Sequence, residues 1–179
     1  MAAADALFYE RGVASVSLEA VAAAAGVTRR TLYYHFSSKD VLVAAYLERR
    51  DRHSRALLER RAVDRPPGRK ILGVFEDLER WFHTREYRGC ALTNALGEGG
   101  ATVVVTTPIT RRHKDAIRDW FVATCEAAGA REPATVGEML MLLFDGAQTS
   151  AATRRDPGVA RHAREAATIL LRAHGVDEI

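Results

Sequence analysis

Cysteine is scarce in this chain: two in 179 residues, Cys90 and Cys125, 35 positions apart. That spacing suits neither a disulfide scaffold nor a paired-cysteine metal motif. Two free thiols in a reducing compartment are expected, and no metal. No apolar run reaches the roughly 18 residues of a membrane helix, so no membrane association is expected. Met1 to Glu10 carry no basic segment ahead of a long apolar run, which argues against a secretory signal and for a cytoplasmic chain. The six histidines are scattered, with no nucleophile elbow, metal-ligand spacing or Gly-rich phosphate loop. Cys90 with His113 is the only conceivable catalytic pair, so an enzyme is not expected, and no cofactor.

What the chain has is ordinary for a globular protein: 47% hydrophobic and 27% charged residues, enough to bury a substantial core. The net charge of +3 is unevenly placed. Residues 1–65 hold eleven Lys and Arg against eight Asp and Glu, whereas residues 66–179 hold fifteen of each. Between Ala20 and Lys39 there is no acidic residue at all. A surface that meets phosphates needs such a bias, because phosphate contact supplies most non-specific affinity for nucleic acid.

The acid-free stretch lies within residues 17–39, which read as two short helices and a tight turn. Ser17 caps the first helix, with Ala20 where a capping-box Glu would stand. Leu18, Val21, Ala22 and Ala25 form its apolar face. Gly26 stops it in a left-handed conformation, and Val27 fills the angle between the helices. Thr28 caps a second helix running to about Phe36, with Leu32 and Phe36 inward. Arg29, Arg30, Thr31, Tyr33, Tyr34 and His35 are left outward. This is a helix-turn-helix pattern, whose second helix enters the DNA major groove.

The motifs Gly26-Val27-Thr28, Thr31-Leu32-Tyr33-Tyr34-His35-Phe36 and Ser38-Lys39-Asp40-Val41-Leu42 resemble the TetR family of bacterial transcriptional regulators, most closely over residues 6–47. The resemblance implies an all-α, nine-helix fold: an N-terminal helix-turn-helix domain, 1–47, and a C-terminal effector-binding and dimerisation domain, 48–179. It implies a homodimer on a palindromic double-stranded operator, most simply a repressor released by a small-molecule effector. Thr28, Arg29, Arg30 and Thr31 occupy the turn that reaches base edges, where an arginine can fork to guanine or hold phosphate. Tyr33, Tyr34 and His35 resemble phosphate-contacting positions of the family, and Tyr33 also reads as a packing residue. Lys39 and Ser17, at helix starts, are further phosphate candidates. Family members usually begin earlier, with a basic segment leading into the first helix, whereas this sequence starts inside that helix.

The remaining helices follow from periodicity and breakers. The first spans about Ala2–Arg11. A long fourth helix runs from near Ser38 to about Ala62, with Val41, Leu42, Ala45, Tyr46, Leu57 and Leu58 inward. Its polar 48–55 stretch reads as a solvated linker, and Tyr46–Arg61 as the mechanical link between domains. Asp64-Arg-Pro-Pro-Gly68 breaks the chain. A fifth helix covers about Gly68–Arg85 and a sixth Ala91–Gly97, before a loop to Thr106. Thr107 caps a seventh with Pro108 at its first position; Pro133 opens an eighth and Asp156-Pro157 a ninth. Effector candidates are Trp81, Phe82, Tyr87, Cys90, Thr93, Asn94, Glu98, His113, Trp120, Phe121 and Phe144; plain core is the alternative for each aromatic, a surface position for Glu98, and an exposed helix face with Lys114 and Asp115 for His113. Dimer candidates on helices eight and nine are Leu140, Leu143, Gly146, Ala147, Ala163, Ala166, Ile169 and Leu170, with a face that only covers the monomer core as the alternative. A helical adaptor that binds only proteins is the other reading of the whole chain; it needs no acid-free helix.

Overall fold

A computed structural model describes residues 1–61 and 65–179. Among these the chain is all-helical: α1 (Ala2–Arg11), α2 (Leu18–Ala24), α3 (Arg29–His35), α4 (Lys39–Arg61), α5 (Pro67–Phe82), α6 (Ala91–Gly97), α7 (Val103–Ala127), α8 (Pro133–Arg154) and α9 (Val159–Ala173), with one 3-10 turn at Gly100–Thr102. The expected helix end at Ala62, and Asp64 of the Pro-Pro break, lie outside the described residues. No described helix is long and apolar enough to cross a membrane.

The described residues divide into two compact units, Met1–His53 with Cys90–His113, and Ser54–Gly89 with Lys114–Ile179. This differs from the linear division after residue 47. The physical reason is a shared core: Cys90, Ala91, Leu92 and Ala95 of the α6 segment and Ile109 of α7 are buried with Phe8, Val13, Val21, Leu32, Tyr46 and Leu47. In the second unit Ile71, Phe75, Phe121, Leu140, Ala167 and Leu171 form the centre of a separate core. There α8 crosses α7 so closely that an added Cβ on Gly137 would stand 2.8 Å from the backbone nitrogen of Val122.

Several local expectations are corrected. Helix α7 begins at Val103, four residues before Thr107, and contains Pro108. Val103 to Thr106, expected as the end of a loop, are therefore helical. Pro108 removes one bond to the carbonyl of Val104, and Val104 is 82% exposed, which leaves that carbonyl's neighbourhood open to water. Val41 and Leu57, expected inward on α4, are exposed, as are Ala25 and Val27. The α2–α3 angle is filled from the core side by Val21, Ala22 and Leu32 instead.

Gly137→Ala is expected to lower stability by about 1–3 kcal/mol, because the close α7–α8 crossing must open; urea denaturation checks this through the midpoint. A pH dependence follows from Cys125. Burial pushes its thiol up from 9.0 to about 11. The raised value means the neutral thiol is favoured by folding, so its contribution is complete below pH 9 and is lost as pH rises towards 11. Wild type should lose about 1.4 kcal/mol per pH unit more than Cys125→Val in that window, measured by denaturation at each pH.

Candidate nucleic-acid interface

The α2-turn-α3 segment is assembled by its caps. Ser17 Oγ accepts the Ala20 N–H at 3.1 Å. Thr28 Oγ1 accepts the Thr31 N–H at 3.1 Å and lies 2.9 Å from Thr31 Oγ1. Gly26 takes φ +65°, the left-handed turn that an L side chain resists. Leu18, Val21, Ala22 and Leu32 are buried, which fixes the outward face of α3. Arg29, Arg30, Thr31, Tyr33, Tyr34 and His35 are all exposed. Tyr34 is 86% exposed, and its ring meets His35 edge-on at 5.3 Å. Tyr33 combines exposure with contact to Arg29, so it is neither core nor free.

The structure separates two arginines that the sequence leaves equivalent. Arg29 Nη1 stands 3.2 Å from Glu19 Oε1 on α2. Its Nη2 donates to the Tyr33 hydroxyl at 3.4 Å, and its guanidinium carbon lies 5.3 Å from the Tyr33 ring centre. The Tyr33 hydrogen bond first, then the Glu19 charge, raise its pKa. Arg30 makes no hydrogen bond or ion pair among the described residues. Glu19 was not anticipated, since it stands one residue before the acid-free stretch.

Two supports hold this segment. Arg50 of α4 donates through Nε and Nη2 to Asp5 of α1, both at 2.9 Å, with its guanidinium carbon 4.3 Å from the Tyr9 ring centre. A bidentate, stacked arginine is the strong form of such a contact. Sequence reading placed Arg50 in a solvated stretch, because its partners lie 45 residues away. The second support is the α1–α2 turn. Lys39 Nζ donates to the Ala14 carbonyl at 2.9 Å. Glu98, next after α6, accepts the Val13 and Ala14 N–H groups at 3.0 and 2.6 Å.

The effector candidates divide between the units. Cys90, Thr93, Asn94, Glu98 and His113 lie in the first, and Trp81, Phe82, Tyr87, Trp120, Phe121 and Phe144 in the second. The carboxylate of Glu98 serves the turn, not an apolar wall. His113, which the sequence left equally readable as surface, is buried, with Nδ1 2.9 Å from Oδ1 of buried Asp51. Thr93 and Asn94 are exposed, whereas Cys90 is buried. In the second unit Trp81, Phe82 and Tyr87 form one aromatic cluster, and the Tyr87 hydroxyl donates to the Gln148 carbonyl at 2.6 Å. Phe121 joins Trp120 and Phe144. Phe82, Phe121 and Phe144 are buried core, while Trp81, Tyr87 and Trp120 are half-buried.

Of the dimer candidates, Leu140, Ala147 and Ala163 are buried inside the single chain, as the alternative of a face that covers the monomer core has it. Gly146 and Ile169 are exposed, and Leu143, Ala166 and Leu170 half-buried. Met139 and Leu142, not anticipated, are exposed beside them in sequence, Leu142 at 67%. The signal was available: α8 is apolar through Met139–Phe144, more than one face of a helix needs.

Comparison with known proteins matches residues 1–46 to the family of bacterial regulatory proteins of the tetR type. The chain is 42% identical over 108 residues to the HTH-type transcriptional regulator TtgR of Pseudomonas putida, covering 54% of this chain and 51% of that one. This match thus spans about half of the relative's length. A solved Streptomyces avermitilis structure assigned to the TetR transcriptional regulators is 31% identical with a TM-score of 0.82, covering 98% of this chain and 95% of that chain. A TetR-family regulator of Streptomyces coelicolor is 28% identical with a TM-score of 0.90, covering 97% and 92%.

Thr28→Ala removes the α3 cap and should cost about 1 kcal/mol, with Thr28→Ser close to wild type. Faster amide exchange in α3 of the Ala variant, restored by Ser, is the expected result.

Proposed function

The chain belongs to the TetR family of transcriptional regulators, and on that premise we propose that it is a homodimeric repressor that leaves a palindromic operator when a small molecule binds. The observation that carries the DNA reading is the outward face of α3, where every polar side chain is exposed and none is acidic. Arg30 is free to reach base edges. Arg29 arrives already oriented by Glu19 and Tyr33. Lys39 keeps two of its three ammonium protons for phosphate after its bond to Ala14.

The exposed apolar side chains Met139, Leu142 and Ile169 support self-association through α8 and α9. Two copies would present two recognition helices to half-sites one DNA turn apart. The half-buried aromatics Trp81, Tyr87 and Trp120 favour an apolar or aromatic effector with a polar end. Release follows from linkage: an effector that prefers the form with misplaced recognition helices lowers DNA affinity by its differential binding. The chain then works in the cytoplasm, at the nucleoid.

Fluorescence anisotropy on the DNA flanking its own gene, against scrambled DNA over a range of salt, tests this. Tighter, saturable binding to the flanking fragment is expected. The pair Tyr34→Ala with Lys39→Ala should weaken that binding at least tenfold, since two phosphate contacts go, while sedimentation shows an unchanged dimer. Unaltered affinity in the double variant overturns the interface assignment.

A further inference from the structure

The Lys39 ammonium is held by a contact 25 residues away in sequence. A lysine carries four rotatable bonds and about 2 kcal/mol of rotamer entropy, yet here its ammonium is anchored on one acceptor, the Ala14 carbonyl, at 2.9 Å. That carbonyl belongs to the turn between α1 and α2. Past the end of α1 the N–H groups of Val13 and Ala14 have no helical partner. Both are taken by one carboxylate, Glu98, at 3.0 and 2.6 Å, from 85 and 84 residues further along the chain. Ala14 therefore receives Glu98 on its N–H side and Lys39 on its carbonyl side.

The backbone is shaped for that carboxylate. Gly12 has φ +86°, and an added Cβ there would stand 2.8 Å from Glu98 Oε1 and 2.9 Å from Oε2. Ser15 closes the other side of the turn, its hydroxyl donating to the Arg11 carbonyl. Val13 and Val16 anchor it in the core. The turn thus has an apolar floor, and its two outward N–H groups meet a charged acceptor, the stronger kind of hydrogen bond.

We propose that Glu98 is a positioning residue for DNA binding: by holding the Val13–Ala14 turn, it fixes the carbonyl on which Lys39 is set before phosphate arrives. The ammonium is then pre-organised and less ordering is needed on the DNA. A negative charge near the interface raises affinity here, although by simple field arguments it should lower it. Operator affinity also becomes tied to where the end of α6 stands. This rests on the DNA reading of Lys39 above.

The test is a double-mutant cycle of Glu98→Ala and Lys39→Ala in the full chain, read by anisotropy on both the flanking fragment and a random duplex across salt. Phosphate contact is sequence-independent, so either duplex reports it. Glu98→Ala should weaken binding about five- to tenfold and make the salt slope shallower by about one, as loss of one phosphate contact does. In the Lys39→Ala background the same change should alter affinity by less than about twofold, because its route is gone. Glu98→Gln, which keeps one acceptor and folds without a cavity, should fall between.

Tighter binding by Glu98→Ala, as charge removal alone predicts, overturns the proposal. So does an equal loss in both backgrounds, which would mark Glu98 as a general support of the turn. If wild type binds and Lys39→Ala is weak while both Glu98 variants match wild type, positioning is wrong and the regulator reading stands. If wild type binds neither duplex, the regulator reading falls and takes this one with it.

Discussion

A seven-residue helix cannot hold itself together in water, and α3 is such a helix. Nucleation of a helix is unfavourable, and α3 covers only two turns with one fully buried side chain, Leu32. Everything else on it must face outward to be useful. The helix is therefore maintained from outside: by the Thr28 cap at its start, by Leu32 in the core, by half-buried Phe36 at its end, and by Glu19 against Arg29. The exposed pair is worth little as stability. Its consequence is directional, since it decides which of two adjacent arginines is oriented and which is free.

The same limit explains the rest of the first unit. Its α2 and α3 are both seven residues long, so α1 and α4 must supply the frame. The Arg50 bidentate contact to Asp5 ties those two longer helices together through partners about a quarter exposed. Tyr46, fully buried beneath it, packs on Phe8 at 5.4 Å, and burial pushes its phenol well above the usual range, so it stays neutral at any ordinary pH. The Asp51 and His113 side chains, both buried, join α4 to α7 by a hydrogen bond. Polar groups out of water are costly unless paired. The pairing therefore selects one register of α7 on α4, and with it the position of the segment that carries Glu98.

What was legible in the sequence was local. Caps, left-handed glycines and apolar spacing act over four residues or fewer, and they place α1 and α6 with their observed bounds, start α8 at Pro133, and give Ser17, Thr28 and Gly26 their observed roles. Local signals also mislead where tertiary context competes. Thr107-Pro108 is a good helix start, but the three valines before it continue the helix because packing of Thr106 and Ile109 outweighs β-branched preference. The contacts that organise the interface are long-range. Arg50 with Asp5, His113 with Asp51 and Glu98 with Ala14 are separated by 45, 62 and 84 residues. In a single sequence Arg50 reads as part of a solvated stretch and Glu98 and His113 as effector candidates, because the partner of each is out of sight.

The C-terminal helices show the opposite ambiguity. An apolar residue is legible as buried, but not as buried against what. Leu140 and Ala147 of α8 go into the chain's own core, and Ala163 and Ala167 of α9 join them. Met139 and Leu142 stand on α8 on either side of the Leu140–Met141 pair and are exposed. A helix of this composition has more apolar circumference than one core can cover, and exposed leucine and isoleucine at 67% and 65% leave that surplus uncovered in one chain. A second apolar surface is the physical remedy, and a second copy offers an identical one. In the proposed homodimer a symmetric operator would follow from hydrophobic burial as much as from DNA recognition, because a two-fold axis that relates two copies of the chain also relates their two α3 helices.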